Sequence, residues 1–267
     1  VDCDMVRFRY GVPEKIGGWS PAVGNNLIGV ARDIHTYTDL AGDSLAAIGT
    51  DRKLYLYYDN NFYDITPLST TIPAVFSFTS GTTIVDVTAT SNGAVAGDFV
   101  TFSGVTGVSV VNISNSNMTQ EFEIQEIKTA NTFTINVASI ATPGVVTTSG
   151  TASSAAFQIN VGADVTTLGD GWGAGAWSFS TWGTPRPSGV ITANPRVWKI
   201  DNFGEDIIAT IVGGKTYYFD TSAFLPARNT RATLLANAPT QSNYMTVSPR
   251  DRHVIFLGTQ TTPGSTT

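Results

Sequence analysis

Leu45 to Tyr58 reads LAAIGTDRKLYLYY: an apolar run, a Gly-Thr-Asp-Arg stretch, and a second apolar run rich in tyrosine. Two short strands of β-branched and aromatic residues around turn-forming residues spell an antiparallel hairpin. The same shape returns at Ile207–Phe219, IIATIVGGKTYYF, and at Tyr244–Phe256, YMTVSPRDRHVIF. The starts of these last two copies lie about 37 residues apart, near the ~40-residue blade period of β-propellers. Helical periodicity is nearly absent elsewhere, so the expected class is all-β, with propeller-type blades.

Between the first and second copies the composition changes. From about Thr70 to Asn160 the residues are mainly Ser, Thr, Val, Ala and Gly, with no Trp or Tyr. Four segments there alternate polar and apolar residues: Ile84–Thr88, Asp98–Phe102, Glu121–Gln125 and Thr132–Asn136. Alternation with period two marks half-buried strands. Asn92-Gly93 and Gly97-Asp98 supply turns. The expectation is a small β-barrel or sandwich inserted into a blade loop, where insertions are best tolerated. The chain divides as 1–69, the first part of the propeller; 70–160, the inserted β-domain; and 161–267, a propeller continuation. The first residue is Val1, and the Thr-rich end after Thr261 has no strand pattern; both read as cuts in a longer polypeptide.

Composition narrows the function classes. Charged residues are 13% of the chain and the net charge is −6. Proteins that grip nucleic acid neutralise phosphates with clustered Lys and Arg. Here the basic residues cluster only at Arg7/Arg9 and Arg250/Arg252, so sequence-specific nucleic-acid binding is not expected, and the acidic balance suits a surface that meets DNA only in passage. Cys3 is the single cysteine, which excludes an internal disulfide and a multi-thiolate metal site. No stretch approaches the ~20 consecutive apolar residues that span a bilayer.

Catalytic constellations find little support. His35 lies between Ile34 and Thr36 on an expected strand and reads as a hydrogen-bonded structural histidine; His253 reads as a turn residue. Ser44 and Ser248 lack a Gly-x-Ser-x-Gly elbow. Paired carboxylates are the minimum for glycoside cleavage, and Asp2/Asp4, Glu121/Glu123 and Glu205/Asp206 are the pairs present. Positions i and i+2 share a strand face, so Glu121 and Glu123 point together, with Phe122 and Ile124 towards the core. That leaves the two glutamates on an expected solvated face. Asp59-Asn60-Asn61 with Asp64 lacks calcium-loop spacing and reads as a turn. No cofactor, no metal and no enzymatic activity are expected.

Aromatic residues point instead to interfaces. Gly171–Gly183, GWGAGAWSFSTWG, spaces Trp172, Trp177 and Trp182 at equal steps; packing is the expected role, with sugar stacking as the alternative. Arg7, Phe8, Arg9, Tyr10 and Trp19 combine the residue types enriched at interface hot spots. These eight residues are the candidate interface.

Several segments together resemble tail proteins of short-tailed bacteriophages: Met5–Trp19 (MVRFRYGVPEKIGGW), Gly29–His35 (GVARDIH), Leu45–Thr50, Tyr63–Pro67 (YDITP), Gly171–Trp177, Thr181–Arg186 (TWGTPR), Trp198–Glu205 (WKIDNFGE) and Val247–Arg252 (VSPRDR). The resemblance implies a tail hub or nozzle subunit of the DNA-stabilisation type, built on a β-propeller. It further implies a homo-oligomeric ring, a hexamer, in the virion tail, with adaptor and tail-fibre proteins as neighbours. A host-receptor or glycan-binding tail module is the alternative. A closed propeller needs at least four blades, and the sequence offers three.

Overall fold

The structure is a computed structural model that describes residues 6–15, 25–108, 112–139, 147–162 and 197–259, without the side chains of 147–149. It is all-β. Ten residues at the start form a hairpin, β1 (Val6–Arg9) and β2 (Val12–Lys15). The first blade follows: β3 (Ala31–Thr38), β4 (Ser44–Thr50), β5 (Leu54–Tyr58) and β6 (Asn61–Asp64) pair in sequence order as an antiparallel meander. The turn from β5 to β6 holds Asp59 at φ 49° and Asn60 at φ 57°. Two left-handed residues in a two-residue loop make the turn whose twist matches a hairpin, and Asp and Asn tolerate it.

The chain then enters a closed barrel. Its strands are β7 (Leu68–Phe78), β8 (Ile84–Thr88), β9 (Phe99–Thr106), β10 (Glu121–Thr129), β11 (Thr132–Asn136) and β12 (Thr147–Gln158), ordered β10-β11-β8-β7-β12-β9. Pairing of β9 with β10 closes the ring, which leaves no unpaired edge. A single turn of helix, α1 (Asn115–Met118), is capped by Ser114 and leads into β10. Alternation sends Phe76, Phe78, Phe102, Phe122, Phe133 and Phe157 inward. Phe76 meets Phe102 edge-on at 5.0 Å and Phe133 meets Phe157 at 5.6 Å, geometries that favour aromatic quadrupoles.

The second blade comprises β13 (Trp198–Phe203), β14 (Asp206–Ile211), β15 (Thr216–Phe219) and β16 (Thr233–Leu234), with helix α2 (Thr221–Ala227) between the last two strands. A third sheet has two strands, β17 (Tyr244–Val247) and β18 (Val254–Leu257). The three hairpins read from sequence are therefore β4–β5, β14–β15 and β17–β18.

Strand alternation on β14 explains how the sheets stack. Ile207, Ala209 and Ile211 face Leu45, Ala47, Leu54 and Leu56 of the first blade in one core. Ile208 points the opposite way and joins Met245 and Val247 of the third sheet. The second blade is thus buried on both faces, as a blade inside a stack must be. Trp198 is almost wholly buried and lies against Gly49, where an added Cβ would come within 2.5 Å of it. Only glycine allows that approach.

Candidate functional site

Among the described residues, the densest group of interacting charges lies where the first blade meets the barrel. Its centre is Lys53, at the end of the turn from β4 to β5. Thr50 shapes this turn, its hydroxyl oxygen accepting from the Arg52 and Lys53 amides at 3.2 and 2.8 Å. Lys53 is directed into the protein, and its side chain is 2% exposed. A buried ammonium must be paired to be tolerated. Nζ lies 3.0 Å from Asp64 Oδ2, forms an ion pair with Glu121 Oε1, and sits 4.2 Å above the Phe99 ring.

Gln158, at the end of β12, ties the two carboxylates together. Its amide donates to Asp64 Oδ2 at 2.8 Å and Glu121 Oε2 at 2.6 Å. Both donors are thereby spent on anions, which leaves the buried Gln158 Oε1 without a hydrogen-bond partner among the described residues. Bonds to charged acceptors are stronger than neutral ones, so this orientation of the amide is the favoured one. Arg231 adds a second cation, 3.1 Å from Asp64 Oδ1, and also donates to the Thr66 carbonyl at 3.0 Å. Burial alone would raise the Asp64 carboxyl. The Lys53 ammonium, the Arg231 guanidinium and bonds from Thr66 outweigh it and hold Asp64 below its usual range.

The spacing of the partners explains the docking. Glu121 and Glu123, two apart on β10, face the blade together, and consecutive Arg52 and Lys53 meet them. Arg52 lies 3.0 Å from Glu123 Oε1 and 5.7 Å from the Phe99 ring. Phe122 and Ile124 are in the core, as their alternation requires. The expectation that the glutamates face solvent is corrected here: their face of β10 is half-buried against the first blade and ion-paired to it.

Beside this cluster lies a cavity of about 160 Å³ lined by Asp51, Arg52, Asp98, Phe99, Asn160 and Gly162, among others. Burial pushes the Asp98 carboxyl up, against bonds from the Val95 amide and Asn160. Those bonds, at 2.9 and 2.8 Å, occupy both of its oxygens. Drug-sized ligands occupy clefts of roughly 300 Å³ or more, so this space suits a few waters. A glycosidase acid needs a raised pKa beside an ionised partner. In the cluster Asp64 moves the other way, and its oxygens are committed to Lys53, Gln158, Arg231 and Thr66. The arrangement is chemically suited to clamping two structural units.

The other residues singled out in the sequence lie elsewhere. Arg7 pairs with Glu14 at 3.1 Å across the β1–β2 hairpin, and the Arg9 guanidinium sits 5.3 Å from the Tyr10 ring. Phe8 is 71% and Tyr10 92% exposed. Trp19, Trp172, Trp177 and Trp182 lie outside the described residues. His35 is hydrogen-bonded as expected, with Nε2 3.0 Å from Asn202 Oδ1, and it links the two blades. Asp59 and Asn60 are the left-handed turn described above, Asn61 opens β6, and Asp64 belongs to the cluster instead. Among the described residues, no group of three His, Cys, Asp or Glu side chains could hold a metal ion, and no helix is long and apolar enough to cross a membrane. Sequence reading passed over Lys53, Asp64, Gln158 and Arg231 as a group. The only local signal was two adjacent cations in a turn and two glutamates at strand spacing.

No known protein family matches the chain, and no curated protein matches it. Among solved structures it is similar to an endosialidase of phage phi92, at 12% identity and a TM-score of 0.25, over 89% of this chain and 35% of the endosialidase chain. The chain thus spans about a third of that protein's length, and a likeness this slight carries no argument about fold or activity.

Proposed function

We propose that this chain is a structural subunit of a phage tail, a hub or nozzle component whose work is to form part of the conduit for DNA. The resemblance of its segments to tail proteins of short-tailed phages points there. The observation that carries the reading is the clamp. The charged groups gathered between blade and barrel are spent on one another, and a buried lysine holds the two units together. That is what a wall subunit needs, since rigidity comes from paired charges and packed blades. On this reading copies assemble as a ring, a hexamer, beside adaptor and tail-fibre proteins. The net charge of −6 keeps passing DNA from sticking.

Mass spectrometry and immunogold labelling of purified virions test the proposal. The expected result is the protein in the tail at several copies per particle. Its absence from virions, or its presence only in the infected cell, overturns the reading.

A further inference from the structure

Lys53 and Gln158 face each other across the junction as an amine and a carboxamide, the lysine from the blade and the glutamine from the end of β12. Both side chains are buried. The same two carboxylates hold them. Asp64 Oδ2 accepts from Lys53 Nζ at 3.0 Å and from the Gln158 amide at 2.8 Å. Glu121 takes Lys53 Nζ on Oε1 and the Gln158 amide on Oε2, the second at 2.6 Å. The amine and the amide are thus bridged twice, and the Phe99 ring shields Nζ from water at 4.2 Å. Gln158 Oε1 is buried at the same spot, without a partner among the described residues. Holding two reacting groups together in a dry site replaces an encounter by a unimolecular step and excludes hydrolysis.

We propose that Lys53 and Gln158 form an isopeptide bond, Nζ to Cδ, with release of ammonia. The ion pairs described above are the state from which it forms. Burial favours the neutral forms of an acid and a base in contact, so a proton passes from Nζ to Glu121 and leaves an uncharged, nucleophilic amine. The protonated Glu121 is then a donor. The Gln158 amide turns over, its stranded Oε1 accepts from Glu121, and the carbonyl carbon becomes electrophilic. The Nζ lone pair makes the new C–N bond, and the bond to Nε2 breaks as the carbonyl re-forms. Of the three ammonium protons, one stays on the new amide, one leaves on Nε2 as ammonia, and one remains on Glu121. Atoms and charge balance, and nothing is oxidised or reduced. Asp64 is the poorer acceptor, since an ionised carboxylate repels a nucleophile and Arg231, 3.1 Å away, keeps it charged. The bond closes a loop that contains the barrel, which restricts the unfolded chain. It rests on the clamp and not on the tail reading, since a protein absent from virions could still form it.

Mass spectrometry of the full chain, folded and held at neutral pH, tests this. The expected intact mass is lower than the sequence mass by one ammonia. Tryptic digestion should give a branched peptide that joins the segments carrying Lys53 and Gln158, with no cleavage after Lys53. Glu121→Gln keeps the shape of the side chain but removes the proton carrier, so it should retain the circular dichroism spectrum and lose the cross-link. Wild-type protein that stays at its full sequence mass after prolonged incubation overturns the proposal, and that result needs no variant. So does a mass lower by one water, which puts the bond on Asp64 or Glu121, or an ammonia loss that maps to other residues. A Glu121→Gln chain that cross-links as fast as wild type overturns the proton route.

Discussion

Lys53 is the buried cation between the carboxylates of blade and barrel, and its loss should be the costliest single change at the junction. Removing one partner from a buried ion pair leaves uncompensated charge, which costs about 3–5 kcal/mol. Asp64 and Glu121 keep some access to solvent, with 19% and 27% of their side chains exposed. Lys53→Ala is therefore expected near the lower end, about 3 kcal/mol by urea unfolding at pH 7. Lys53→Met, which preserves the stem over Phe99, should cost less, and equal losses for both would show that the stem adds nothing beyond the charge. Asp64 also predicts a pH dependence. Its folded pKa is lowered, so its contribution is complete above its unfolded value near 3.8 and fades as pH falls through the folded one. Wild type should exceed Asp64→Asn in stability by about 2 kcal/mol at pH 7, as expected for hydrogen bonds to a charged group. The gap should narrow below pH 4. A gap that stays constant down to pH 2 would refute the assigned cause. Asp98 acts in the opposite sense: its raised pKa means that ionisation costs stability as pH climbs past its unfolded value, partly offsetting the gain from Asp64.

Among the elements, the blade contact at Gly49 is the sharpest test of the stacking. A methyl group there would lie 2.5 Å from the Trp198 Cβ and 2.6 Å from its Cδ1, atoms near the rigid start of the side chain. Gly49→Ala should cost about 1–3 kcal/mol through overpacking, read as a lowered urea midpoint with an unchanged slope. A neutral result would mean that the blades do not pack as described. The hairpins and barrel strands were legible in the sequence because their signals are local. Glu121-Phe122-Glu123-Ile124 states its own two faces, and Gly93 and Gly97 mark the bends with φ of 66° and 90°. What a face meets is not local. Glu121 finds Lys53 across 68 residues, and Gln158 reaches Asp64 across 94. Alternation therefore gave the orientation of the two glutamates but assigned them to water. Helix α2 escaped notice for a related reason. Seven residues with an internal Pro226 are too few to set up a helical period, and its identity rests on the Asp220 cap bonding to the Ala223 amide.

For the molecule as a whole, the question is how independent the barrel is. It has a hydrophobic core of its own, with Phe76, Phe102, Phe133 and Phe157 inside, distinct from the core shared by the two blades. Its first and last strands begin and end side by side, since Leu68 pairs with Gln158. Replacing 69–157 by a turn of two to four residues therefore spans a gap of about 5 Å, the distance between paired strands. Blade stacking through Trp198, Ile207 and Leu56 does not pass through the barrel, so the shortened chain should fold, with the near-ultraviolet signal of its buried aromatics retained. It should lose stability all the same, because Lys53 keeps Asp64 but loses Glu121 and the Phe99 ring. Adding Lys53→Met to the shortened chain should then cost less than the same change in the full chain, because fewer partners remain to be stranded. If the shortened chain fails to fold with Lys53 and with Met alike, the barrel is an integral part of the blade stack, and the clamp joins two halves of one cooperative unit.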